Sequence, residues 1–153
     1  MKGLIFSLLL FITCFASSAQ ELDYDVLEKE FRADTARVEE DYRNSTDYTT
    51  IGMIEALNKR EEGYDKLLNK YYKILMDNLG TKGKAALKAT QRNWLKLRDS
   101  DKDLVSALHT EVYDKMGGGT IWGVVSAGAR TDITRRRVIE LYNYLMFSDV
   151  GGR

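Results

Sequence analysis

Apolar residues recur at helical spacing along most of the chain. In its first part they lie three, four or seven positions apart, at Tyr24, Leu27, Phe31, Val38 and Tyr42, with polar residues between them. A stripe of this kind is typical of an amphipathic helix that packs on a core. No long stretch alternates apolar and polar residues in the manner of a strand. The pattern therefore predicts an all-α protein.

About four helices are predicted, separated by residues that favour turns. The turn signals lie at residues 44–47, 80–83 and 117–119. The helices run approximately over residues 22–43, 50–78, 84–116 and 131–147. Because the second and third are long and joined by a short turn, we expect a small helical bundle in which they form a long antiparallel hairpin.

The third helix carries a long apolar stripe, which is predicted to face the core: Leu87, Trp94, Leu97, Leu104, Val105, Leu108 and Val112. Residues 119–129 then form a small, apolar segment that suits either a loop packed over the bundle or a short helix. Arg135, Arg136 and Arg137 fall in the first turns of the predicted fourth helix, where the helix dipole disfavours cations. We therefore expect Arg137 to pair with Asp99 or the first helix, or to contact an anionic partner.

The first 19 residues have the features of a secretory signal peptide. A basic Lys2 precedes an apolar run over residues 4–16, which is shorter than the roughly 20 residues that span a bilayer. Ser17 and Ala19 suit the −3 and −1 positions of a cleavage site. We predict a signal peptide over residues 1–19 and one periplasmic or secreted helical domain over residues 20–153, with no membrane span after cleavage.

The cysteine and proline content bears on the disulfides and the helices of the mature domain. Cys14 is the only cysteine, and the Phe-Ile-Thr before it does not match a lipoprotein signal. Cys14 is therefore interpreted as part of the apolar run, so that the mature domain has no cysteine and no disulfide. The chain also contains no proline, which suits long uninterrupted helices.

The net charge of 0 conceals an uneven distribution. Residues 20–63 carry 13 acidic and 6 basic residues, a balance of −7, and residues 64–153 carry 10 acidic and 16 basic residues, a balance of +6. This distribution has two interpretations. The acidic first helix is expected either to pack against the basic later helices or to form one end of a molecule that attracts a charged partner. The overall balance does not favour a nucleic-acid-binding protein.

Few residues suit catalysis. His109 is the only histidine, and no serine lies in a nucleophile-elbow sequence. Zinc sites need several His or Cys ligands, and the glycines at 117–119 lack the lysine and preceding strand of a P-loop. Carboxylate pairs such as Glu61 and Glu62 lie among basic residues. The sequence therefore predicts no enzyme activity, no metal and no cofactor.

Two helical segments supply the candidate partner-binding residues. Gln91, Trp94 and Arg98 share one face of the third helix. A tryptophan between an amide and a guanidinium suits either a buried polar network or a recognition patch, because Trp and Arg are enriched at interface hot spots. The full candidate set is Gln91, Trp94, Arg98, Asp99, Trp122 and Arg137.

Four short motifs carry a family resemblance. They are Asp65-x-x-Leu68-Asn69-x-x-Tyr72, Leu87-Lys88-x-x-Gln91-x-x-Trp94-x-x-x-Arg98-Asp99, Gly118-Gly119-Thr120-Ile121 and Thr134-x-x-Arg137-x-x-x-Leu141. Together they resemble the LprI-like lysozyme-inhibitor family over approximately residues 49–145. The resemblance implies an exported helical protein. It also implies disulfide-forming cysteines, and at the corresponding positions this chain has Ala56, Lys102 and Ala129.

Three functional hypotheses follow. The resemblance implies an envelope protein that binds and inhibits a lysozyme-type muramidase, towards which the acidic N-terminal half would steer it, since many lysozymes are basic. The alternative is a structural or adaptor module that binds another envelope protein through the region of Trp94 and Trp122. The third, a carboxylate-dependent hydrolase, is disfavoured by the shortage of catalytic groups.

Overall fold

The computed structural model describes residues 22–149, so the predicted signal peptide, its cleavage site and Cys14 lie outside the described residues. The described part folds into four helices and contains no strand. Their bounds are α1 Tyr24–Arg43, α2 Thr50–Asn78, α3 Thr81–Lys115 and α4 Ile121–Asp149. The prediction of a small all-α bundle is confirmed.

The start of α4 differs from the prediction. Of the two alternatives for residues 119–129, the helical one is correct from Ile121 onwards, but the segment is the first part of α4 rather than a separate short helix. The chain reverses at three glycines with φ of 71°, 99° and 122°, in the left-handed region that favours glycine. No proline interrupts the helix after them. Arg135, Arg136 and Arg137 therefore lie in the middle of α4, and the argument from the helix dipole was wrong.

The helices alternate in direction, and α2 and α4 lie side by side at the centre. The Thr131 hydroxyl of α4 donates to the Leu57 carbonyl of α2 at 3.1 Å, and the rings of Tyr71 and Tyr142 meet with centroids 6.3 Å apart. Both helices thus advance in the same direction. Phe31 of α1 stacks on Tyr142 at 3.8 Å, and α3 packs on α4 from another side.

The predicted α2–α3 hairpin is antiparallel, but the most extensive packing in the bundle joins α2 to α4. The reason lies in α4, which buries one continuous stripe with steps of three and four residues: Ala127, Thr131, Thr134, Val138, Leu141 and Leu145. The small side chains at the beginning of this stripe allow the α4 backbone to approach α2 closely. α3 is held mainly by α4 and touches α2 less.

Only part of the predicted inner face of α3 is buried. Leu87 is 6% exposed, whereas Leu97 and Leu104 are each 57% exposed and Leu108 is 49% exposed. α3 is 35 residues long, packs mainly on α4 and makes few contacts with α2. Because α4 covers only one side of the second half of α3, the apolar stripe extends beyond the core, and the prediction was wrong for Leu97, Leu104 and Leu108.

Charged residues of α1 pair with the later helices. Glu39 accepts hydrogen bonds from Arg60 at 2.7 Å and from Tyr64, and Asp34 accepts from Lys70 at 2.6 Å and from Tyr71 at 3.0 Å. These contacts support the interpretation that the acidic first helix packs against basic later helices. They leave less of the α1 charge free to attract a partner.

The pairing of Glu39 makes the stability of the fold depend on pH. Burial by itself raises the pKa of the Glu39 carboxyl, but hydrogen bonds from Arg60 and Tyr64 and the charges of Arg60 and Arg135 outweigh it, so that the pKa lies below its ordinary value of 4.5. A carboxyl with a lowered pKa stabilises the fold at pH above its unfolded-state pKa, and that stabilisation is lost as the pH falls through the folded-state pKa.

We therefore expect the free energy of unfolding to fall as the pH drops below about 4.5, and to fall less steeply in Glu39→Gln. Urea unfolding at a series of pH values measures both slopes. Glu40→Gln is the matched control, because Glu40 is an exposed neighbour and should keep the wild-type slope. Identical slopes in all three proteins would show that Glu39 does not contribute.

Candidate functional site

Arg137 is the most deeply buried charged residue in the described part of the chain, at 3% exposed. Its Nε and Nη2 donate to Oε1 of Gln91 on α3 at 3.1 and 3.0 Å, and Nη1 donates to Oε2 of Glu140 at 2.9 Å. Gln91 is itself 8% exposed. Arg137 therefore joins α4 to α3, and its predicted pairing with Asp99 or with α1 was wrong.

Trp94 lies close to two guanidinium groups. Those of Arg98 and Arg137 are each 5.6 Å from the centroid of its ring, a distance at which a cation is attracted to the aromatic face. Arg98 also donates to the neighbouring Asp99 at 2.9 and 2.7 Å. Five predicted residues thus meet at the α3–α4 contact. Because Gln91 and Arg137 are buried, this geometry favours the buried network over a recognition patch.

A groove of about 590 Å³, lined by both polar and apolar side chains, lies between α2 and α3, next to this network. Residues of the first two sequence motifs meet there, since the lining comprises Asp65, Leu68, Asn69, Tyr72, Lys88, Gln91, Arg92, Leu95 and Arg98. This lining contains no histidine, cysteine or serine.

A second, apolar groove of about 200 Å³ lies between α3 and the first turns of α4. Trp122 forms part of its wall, with Leu108, Val112 and Val125 among its neighbours. Leu108 is 49% and Val125 56% exposed, so the apolar surface continues beyond the groove. We call this region, with Leu104, the Trp122 groove.

The profile described as Lysozyme inhibitor LprI matches residues 41–141. The chain belongs to the LprI family. The match runs from the end of α1 through most of α4, and it includes both the Arg137 network and the Trp122 groove. No curated protein and no solved structure matches the chain.

In this LprI-family chain the predicted candidate residues fall in two places. Gln91, Trp94, Arg98, Asp99 and Arg137 gather at the α3–α4 contact. Trp122 lies 15 residues before Arg137 on the same helix, which corresponds to about 22 Å. The apolar stripe of α3 predicted Leu104 and Leu108 to lie in the core, because no local signal distinguishes a stripe that is covered by another helix from one that is exposed.

The positions at which the LprI resemblance implied cysteines carry other interactions here. Ala56 is buried in α2, and Ala129 lines the Trp122 groove. Lys102 of α3 forms an ion pair with Glu61 of α2. A charge pair thus joins two helices at one of these positions, although a part-buried ion pair contributes much less stability than a disulfide.

The described part of this LprI-family chain contains neither a metal-binding cluster nor a membrane-spanning helix. Residues 22–149 contain no group of three or more His, Cys, Asp or Glu side chains arranged to hold a metal ion. Within the same residues, no helix combines the length and the apolar character that a membrane span requires.

Proposed function

We propose that this LprI-family protein is exported and binds a lysozyme-type muramidase, whose activity it inhibits. The observation that carries the proposal is the family match over residues 41–141, which covers α2, α3 and most of α4. The signal-peptide features of residues 1–19 support export, which would bring the protein to the compartment where lysozymes act.

The Trp122 groove is the surface that suits a protein partner best. Protein interfaces are centred on aromatic and apolar anchors in pockets, with polar residues around them. Trp122 supplies an aromatic wall, and the exposed Leu104 and Leu108 enlarge the apolar area. Gln91 and Arg137 are buried, so we assign them to holding α3 on α4 rather than to contacting the enzyme.

Charge around this groove also suits a basic enzyme. The second half of α3 carries four carboxylates in addition to Asp99, at Asp101, Asp103, Glu111 and Asp114. Of these four, only Glu111 forms an ion pair among residues 22–149, with Lys115 at 3.6 Å. Asp101 lines a shallow pocket with Leu104 and Leu108 beside the groove, so it would help to orient a basic lysozyme. Helical spacing places Asp103 and Asp114 on the far side of α3, from which they would contribute only long-range attraction. Asp25, Glu40 and Asp41 of α1 are exposed and form no ion pair among residues 22–149, so α1 also presents acidic charge to a partner.

The test is a turbidity assay of cell-wall lysis by a basic lysozyme with increasing amounts of the mature protein. We expect inhibition that saturates, and a loss of potency of about 30-fold in Trp122→Ala, which corresponds to a hot spot of about 2 kcal/mol. Phe147→Ala is the matched control, because Phe147 is 77% exposed near the other end of α4 and should leave potency unchanged.

The outcomes separate the hypotheses. Undiminished lysis at large molar excess, with no complex by calorimetry, would eliminate the inhibitor. A complex without inhibition would favour the adaptor module, for which the Trp122 groove is equally suited. Inhibition that survives Trp122→Ala would retain the function and place the contact elsewhere.

A further inference from the structure

The first half of α3 carries an uninterrupted basic face. Residues 81–98 include six Lys or Arg residues and no Asp or Glu. Four of them, Lys84, Lys88, Arg92 and Lys96, recur at every fourth position and form one ridge about 18 Å long. None of the four has an ion-pair partner within residues 22–149. We call this row of side chains the α3 basic ridge.

The fold itself does not explain the ridge. Like charges four positions apart on a helix repel each other and destabilise it slightly. Some cations elsewhere in the bundle, such as Arg60 and Lys102, are paired with carboxylates of another helix. Others, such as Lys59 and Lys66, are exposed without an ion pair among residues 22–149, but they lie seven positions apart. The α3 basic ridge instead places a cation at every fourth position, in a stretch without any carboxylate. An external anion would relieve this local concentration of positive charge.

The side chains between the cations indicate the shape of the partner. Ala85 and Ala89 are small and exposed, so the ammonium and guanidinium groups project without obstruction. Tyr72 and Leu95 line the groove beside Lys88 and Arg92, but both are partly buried. Within the described part of the chain, no fully exposed aromatic ring therefore lies beside these cations for a nucleic-acid base to stack on, and no large, fully exposed apolar side chain lies there to anchor a protein interface. An extended surface of closely spaced phosphates fits such a convex cationic strip best.

We propose that the α3 basic ridge binds the headgroups of anionic phospholipids and holds the protein on a membrane surface without inserting into it. Each Lys or Arg near such a surface contributes to binding, and four acting together raise the partition coefficient by about 10²–10³-fold. The ridge begins about 36 Å along α3 from Leu108. A protein bound in this way keeps the Trp122 groove free for a second partner.

The test is co-sedimentation of the mature protein with vesicles that contain phosphatidylglycerol, compared with vesicles of phosphatidylcholine alone. We expect binding to the anionic vesicles only, and weaker binding at high salt because the Debye length shortens. Changing Lys84, Lys88, Arg92 and Lys96 together to Gln should reduce the partition coefficient by about 10²–10³-fold. Glutamine has a similar helix propensity, so the variant should fold and unfold like the wild type.

The matched control removes the same charge from other faces, by changing Lys59, Lys66, Lys73 and Arg136 to Gln. These four residues are exposed on α2 and α4, and their removal should weaken binding by less than about 10-fold. Equal losses in both variants, or equal binding to neutral vesicles, would overturn the proposal. Binding to soluble polyphosphate without binding to vesicles would also overturn it, in favour of a free polyanion. Lysozyme inhibition should be the same in both variants, so this test and that of the proposed function fail separately.

Discussion

Arg137→Met is expected to lower the free energy of unfolding by about 3 kcal/mol. The substitution keeps a long side chain but removes three donors, and it leaves the buried Oε1 of Gln91 without the two hydrogen bonds that it accepts. It also removes one of the two guanidinium groups from the ring of Trp94. Glu140 is half exposed, so its carboxylate returns to water at little cost. Urea denaturation monitored by circular dichroism measures the change.

Arg136→Met is the matched control, because Arg136 is adjacent in sequence but exposed. Its effect should stay within about 0.5 kcal/mol. The double variant Gln91→Leu with Arg137→Met should be less destabilised than the sum of the two single variants, because removing both partners leaves no unsatisfied buried group. Unchanged stability together with a loss of lysozyme binding would show instead that the network is a recognition patch.

Leu141→Ala is expected to lower the free energy of unfolding by about 3–4 kcal/mol. Leu141 is fully buried in the central stripe of α4 and belongs to the main core cluster with Tyr71 and Val138. Truncation removes buried apolar surface and leaves a cavity that the flanking helices cannot close without moving. The same urea experiment measures the effect.

Leu104→Ala is the matched control for Leu141→Ala, because the residue type and the substitution are the same. Leu104 is 57% exposed, so its truncation should change stability by no more than about 0.5 kcal/mol. Similar losses in the two variants would mean that the second half of α3 is covered in solution. Concentration-dependent unfolding would then identify a second copy as the cover.

The helices were predictable because their signals are local. The spacing of apolar residues in α1 and α2, the glycines at 117–119 and the absence of proline each act within a few turns of the chain. The candidate site was predictable in part for the same reason. Gln91, Trp94 and Arg98 share a face of α3 by helical geometry alone. Arg137 was singled out by its place in a run of three arginines and by the family motif that contains it.

The beginning of α4 was missed because its first turns are weakly amphipathic. Trp122, Val124 and Val125 point in different directions, and glycines lie among them. Only packing of this segment between α2 and α3 decides that it is helical, since tertiary contacts override weak local propensity. The partner of Arg137 was missed for a related reason, because the acceptor on Gln91 lies 46 residues away in the chain.

The sequence by itself determined that this protein is a set of long amphipathic helices, and it carried the motifs of the LprI family. Only the tertiary structure decided that α4 lies at the centre beside α2, that Arg137 is buried and that Leu104 and Leu108 remain exposed. The physical reason is that helical periodicity records which side of a helix is apolar. It does not determine whether another helix packs against that side. That depends on how all four helices pack together.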